Sequence, residues 1–95
     1  MNPDRVQVKS IVRRRREDLG MSVNDLARAV GVRSLEYVTM IEAGHSVIDL
    51  NRAPVFASAL RLDVMGFCLC CLFELSPTFH RAVFGEGEPS PPFPR

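Results

Sequence analysis

Three glycines, Gly20, Gly31 and Gly44, cut the first half of the chain into segments of roughly ten residues, each with its apolar residues at helical spacing. Glycine adopts the left-handed backbone that ends a helix, so each glycine predicts a stop. The first helix is expected from about Val6 to Leu19, with Val8, Ile11, Val12 and Leu19 inward. Ser22 is placed to cap a second helix carrying Val23, Leu26, Ala27 and Val30, and Ser34 a third carrying Leu35, Val38 and Ile41. Asp49 or Asn51 can cap a fourth helix reaching about Leu62, Asn51 being preferred because Pro54 then falls in the first turn, where proline costs no hydrogen bond. Asp63 can cap a fifth to about Leu75, and Ser76-Pro77 opens a sixth through Phe84. No segment alternates with a period of two and no hairpin dipeptide or repeat occurs. The expected fold is all-α, with five to six short helices.

Ninety-five residues hold one core, so residues 1–84 are read as one domain. Residues 85–95, with two glycines and four prolines, are read as a disordered tail, although the Pro89 to Pro94 stretch has the composition of a polyproline ligand. Arg5, Lys9 and Arg13 to Arg16 exclude a signal-peptide reading of the first twenty residues. The longest apolar run, Val64 to Phe73, falls short of the roughly 20 residues of a membrane span. Net charge is +1, yet residues 1–33 carry +4 and the remainder −3. A basic front half suits a phosphate-facing surface, or a solvated helix without a partner.

The stretch about Val23 to Ile41 places two short helices around a Gly31 to Arg33 turn, the plan of a helix-turn-helix whose second helix enters the DNA major groove. Gly20-Met21-Ser22, Leu26-Ala27, Gly31-Val32 and Ile41-Glu42-Ala43-Gly44 together resemble the phage-repressor, Xre or lambda-repressor-like, helix-turn-helix family, over about Val8 to Leu75. The resemblance implies a lambda-repressor-like domain with a C-terminal apolar helical extension, and a structural ion pair between Arg16 and Glu42. It implies double-stranded DNA as partner. Ser22, Arg33 and Ser34 would meet phosphates together with the free N–H groups of the two helix N-termini. Leu35, Glu36, Tyr37, Thr39 and Met40 would face bases, with Glu36 accepting from cytosine and Leu35 or Met40 touching a thymine methyl. His45 stands where the family often has a cation near phosphate.

Val23 occupies a position where many members of the family carry Gln, and the third helix lacks the Arg, Asn and Gln that read bases bidentately. Two functions therefore stay open. The first is a sequence-specific transcriptional regulator, a dimeric repressor in the bacterial cytoplasm, nucleoid-associated when bound. The alternative is a helix-turn-helix-derived protein-interaction module, such as an antiactivator, that presents Leu35, Tyr37 and Met40 to a protein partner.

The helix from Val64 to Leu75 is apolar nearly all round and needs cover on its second face. A homodimer through residues 64–84, using Phe67, Leu69, Leu72, Phe73, Phe79 and Val83, would supply it and would suit a two-fold DNA site. The rival is a sixth helix folding back over the fifth. Cys68 and Cys71 share a helix face while Cys70 points about 160° away from Cys68, so three thiolates do not converge and no metal or other cofactor is expected. Unpaired thiols suit a reducing compartment. His45 and His80 show no evident nucleophile-and-carboxylate constellation, so neither an enzyme nor a small-molecule substrate is expected.

Overall fold

The computed structural model describes residues 7–93, and within them the chain forms six helices and no strand. In order they are α1 (Val8–Asp18), α2 (Val23–Val30), α3 (Leu35–Ala43), α4 (Ala53–Ala59), α5 (Val64–Leu75) and α6 (Pro77–Phe84). The expected start of the first helix at Val6 lies outside the described residues.

Local chemistry sets the helix ends. Ser22 and Asp25 form a reciprocal capping box at α2, with Oγ accepting from the Asp25 N–H at 3.0 Å and the carboxylate accepting from the Ser22 N–H at 2.9 Å. These same bonds hold the Asp25 carboxyl below its ordinary pKa. Gly31, at φ +76°, closes α2, and Gly44, at φ +82°, closes α3. The fourth helix takes the less favoured of its two candidate caps and ends earlier than expected. Asp49, not Asn51, supplies the acceptors: its side chain takes the Asn51 N–H at 2.8 Å and its carbonyl the N–H groups of Arg52 and Ala53. α4 stops at Ala59, and Arg61 takes a left-handed φ of 54°.

Two long-range contacts close the bundle. The N-terminus of α1 has no side-chain cap of its own, and Glu74 of α5 accepts from the Val8 N–H at 2.8 Å instead. Arg15 of α1 donates to the Leu60 carbonyl at 2.8 Å, satisfying the end of α4. Between them lies the core, where α4 packs on α2 and α5, and α1 on α3 and α5. Val12, Leu26, Val38, Ile41, Phe56, Leu60 and Phe67 are fully buried. Burying each of the larger side chains contributes about 1.5–3 kcal/mol.

The C-terminal segment departs from the sequence expectation. Residues 86–93 do not form a helix, but they lie against α5 and α1 as a strap. The Pro92 carbonyl accepts from the Asp63 N–H at 3.1 Å, Pro92 is buried, and the Phe93 ring lies 4.6 Å beneath the Arg14 guanidinium. A proline-rich segment has little conformational freedom to lose on docking, which makes even a few contacts sufficient to place it. The strap and α6 together cover the second face of α5, so Phe67 and Phe73 are internal to a single chain and are corrected from interface to core residues.

Candidate nucleic-acid interface

The unit that faces outward is built from α2, the Gly31 to Ser34 turn and α3. The N–H groups of Gly31 and Val32 return to the carbonyls of Arg28 and Ala27 at 3.1 Å, which turns the chain sharply. Ala27 and Leu26 pack inward from α2, Val38 and Ile41 from α3, so the angle between the helices is fixed by core contacts. Ser34 caps α3 with its Oγ accepting from the Glu36 N–H at 3.1 Å.

α3 then divides into two faces. Leu35 (47% exposed), Glu36, Thr39 and Met40 (41% exposed) point away from the core, and Arg33 is exposed on the turn just before them. Thr39 donates its hydroxyl hydrogen to the Leu35 carbonyl at 3.1 Å, which leaves its oxygen as an acceptor toward the outside. Ser22 at the start of α2 and His45 beyond Gly44 are also exposed. Tyr37 does not belong with this group. It is half-buried, its ring centroid lies 6.1 Å from that of Phe56 on α4, and the Arg52 guanidinium stands over the ring, 5.5 Å from its centroid. Its place is a brace between α3 and α4, because residue 37 falls on the same helical side as Ile41.

The basic front half reads differently in three dimensions. Arg13 and Arg14 pair with Glu17 and Asp18 one turn along α1, at 2.9 and 4.0 Å. Arg15 caps α4. Arg16 forms a two-pronged bond to Glu42, at 2.7 and 3.0 Å, and donates a third hydrogen to the Met21 carbonyl at 2.8 Å. The hydrogen bonds to Glu42 raise the Arg16 guanidinium still further above its usual pKa. One side chain thereby ties α1 to the end of α3 and to the entry of α2. The arginine run is thus engaged within the fold. Arg33 and Arg52 are exposed cations at the start of α3 and beside Tyr37, and exposed Lys9 lies against Gly44 at the end of α3. Sequence reasoning missed Arg52; the signal was present, since it is the single arginine between Gly44 and Leu60 and directly precedes the α4 start.

The cysteines take no part in this surface. Cys70 and Cys71 are buried and Cys68 half-buried on α5. Burial pushes the Cys70 thiol up to about 11 and the Cys71 thiol higher still, which leaves them protonated and unreactive at neutral pH.

Two helices crossing at a glycine turn, with the second presenting an uncovered face, define a helix-turn-helix protein. A family model described as helix-turn-helix matches residues 12–67, from α1 into α5, and the chain belongs to that family, of the Xre/lambda-repressor-like kind. The family is one of DNA-binding regulators rather than enzymes. No curated protein and no solved structure matches the chain. Most of α5, all of α6 and the strap lie beyond the matched residues. Among the described residues no helix is long and apolar enough to cross a membrane.

Proposed function

We propose that the protein is a sequence-specific transcriptional regulator, a dimeric repressor that covers a promoter site in the bacterial cytoplasm. The observation that carries this reading is the uncovered outward stripe of α3, set at a fixed angle by α2 and introduced by exposed Arg33. In the groove, Ser22, Ser34, Arg33 and His45 meet phosphates, and Leu35, Glu36, Thr39 and Met40 meet base edges. Glu36 is the discriminating residue, since a carboxylate is accepted beside cytosine N4 and repelled elsewhere near phosphate.

Binding to genomic fragments at two salt concentrations tests the reading, because each neutralised phosphate contributes about −0.9 to the slope of log affinity against log salt. Arg33→Ala is expected to weaken all sequences alike and to make that slope shallower by about 1 per protomer. Glu36→Ala is expected to redistribute preference among sites by about 1–3 kcal/mol at one base pair. If neither variant changes affinity, the groove assignment is wrong.

The dimer is supported by α6, where Phe79 (56% exposed) and Val83 (57% exposed) lie one turn apart on one face. Leu69 and Leu72 are half-buried and flank the interface rather than forming its centre. Phe79→Glu is expected to raise the dimer dissociation constant by more than about tenfold, ~1.4 kcal/mol, as read by mass in solution. A mass that does not respond sinks the α6 interface.

A second reading is favoured by the apolar character of Leu35 and Met40 on the face offered to DNA. In that reading the same stripe docks on a protein partner. A salt-insensitive interaction abolished by Met40→Glu distinguishes it.

A further inference from the structure

Gly66 lies inside α5, where alanine would serve the helix better. A Cβ there would stand 3.3 Å from the Pro92 Cβ and 3.5 Å from the Pro92 Cα, tighter than carbons usually pack, and 2.8 Å from Asp63 Oδ2, the end of a side chain that can swing aside. The absent side chain is the seat that lets the strap approach α5. Around it the Asp63 N–H donates to the Pro92 carbonyl at 3.1 Å, the Cys70 thiol to the Ser90 carbonyl at 3.6 Å, and the Phe93 ring lies 4.6 Å from the Arg14 guanidinium of α1. Every one of these partners belongs to α1, α5 or its cap. The seat therefore recognises the strap without regard to which chain delivers it.

Delivery from the same chain depends on a reversal just after α6. Gly85 takes φ +88° and ψ −175°, a region of backbone space essentially reserved to glycine, and Gly87 takes φ +101°. A Cβ at either would touch nothing within 4 Å, and residues 81–88 are all exposed. The ion pair across the reversal, Arg81 to Glu86 at 3.5 Å, is solvated on both sides and adds little. Extending this hinge removes the reversal and leaves the contacts in the seat available, which is the condition for exchanging an element between copies.

We propose that the protein dimerises by exchange of its straps, Pro92 and Phe93 of each copy filling the Gly66 and Arg14 seat of the other. The closed form described above is then the monomer. A tethered strap competes at an effective concentration on the order of millimolar, so exchange needs burial that the closed form lacks. α6 supplies it: Phe79, Val83 and Phe84, on the helix that leads into the hinge, are each more than half exposed, and crossing straps draw the two α6 helices into one assembly. The exchange rests on the dimer reading and not on DNA.

The test mixes carbon-13-labelled and unlabelled full-length chains, unfolded and refolded together at about 0.5 mM, near the effective concentration of the tethered strap. Magnetisation transfer between the Pro92 ring protons and the Gly66 α-protons is expected between chains. Gly85→Val disfavours the reversal and is expected to lower the dimer dissociation constant by at least about tenfold in sedimentation, whereas Gly66→Ala fills the seat and is expected to raise it by a similar factor. Should Gly85→Val fail to fold, the wild-type contacts decide alone. Pro92–Gly66 contacts confined within one chain overturn the exchange, and if the protein is nonetheless dimeric the α6 interface stands without it. Dimers that ignore Phe79→Glu yet keep the contacts between chains remove the α6 interface and support the exchange. A folded Gly85→Val variant that dimerises no more tightly than wild type overturns the exchange.

Discussion

Phe56→Ala is expected to lower stability by about 3–5 kcal/mol, the usual loss when a fully buried phenylalanine is truncated in a core that relaxes only in part. A chain of this length has roughly 5–14 kcal/mol in total, so the variant sits near the edge of folding. Each kcal/mol moves the midpoint of a small domain by about 4–8 °C, and a thermal melt should therefore fall by at least about 12 °C. The effect reaches the recognition surface as well. Phe56 is the far wall of the Tyr37 brace, and Tyr37 in turn carries Arg52, so the loss loosens α3 against α4. Tyr37→Phe separates the two consequences: it keeps the ring and the packing, and should leave the melt within about 1 kcal/mol of the parent. A Phe56→Ala melt within a few degrees of the parent would show that α4 is not anchored as described.

Arg16→Ala is the second large effect. It leaves Glu42 charged, with its side chain only 9% exposed and both oxygens unpaired, and it frees the Met21 carbonyl. Removing one member of such a pair costs about 3–5 kcal/mol, because the remaining charge stays desolvated. Arg16→Lys is the informative companion. A lysine keeps the charge but presents a single point rather than a planar fork, so it cannot hold both carboxylate oxygens and the Met21 carbonyl at once. Recovery of less than half the lost stability is expected, by urea unfolding, with full recovery arguing that charge alone matters here. The double variant Arg16→Met with Glu42→Leu is expected to be closer to the parent than Arg16→Ala, since it removes both charges rather than stranding one.

Much of this architecture was legible before any coordinate. The stops at Gly20, Gly31 and Gly44, the caps at Ser22, Ser34, Asp63 and Ser76, and the inward residues Val12, Leu26, Val38 and Ile41 follow from backbone sterics and helical periodicity, which act within a few residues. The outward stripe Leu35, Glu36, Thr39, Met40 is the complement of that periodicity. The family resemblance places Tyr37 with this stripe, whereas a tyrosine at the boundary of the two faces turns toward the apolar surface beside it, here Phe56. The front half carries +4 by sequence, with Arg16 already implied to pair with Glu42, and the rest of the run is engaged as well, because successive helical residues point about 100° apart and so meet different neighbours.

What the sequence determined by itself is therefore the set of helices, the turn between α2 and α3 and the family to which they belong, all properties of short-range chemistry. Only the tertiary structure decided what covers α5. Its apolar circumference announced that cover was needed, but hydrophobic burial is non-directional, and a second copy, α6 and the proline-rich end of the chain were all capable of supplying it. The contacts of Pro92 with Asp63 and of Phe93 with Arg14 join residues about 30 and 80 positions apart, and no local pattern encodes a pairing at that range.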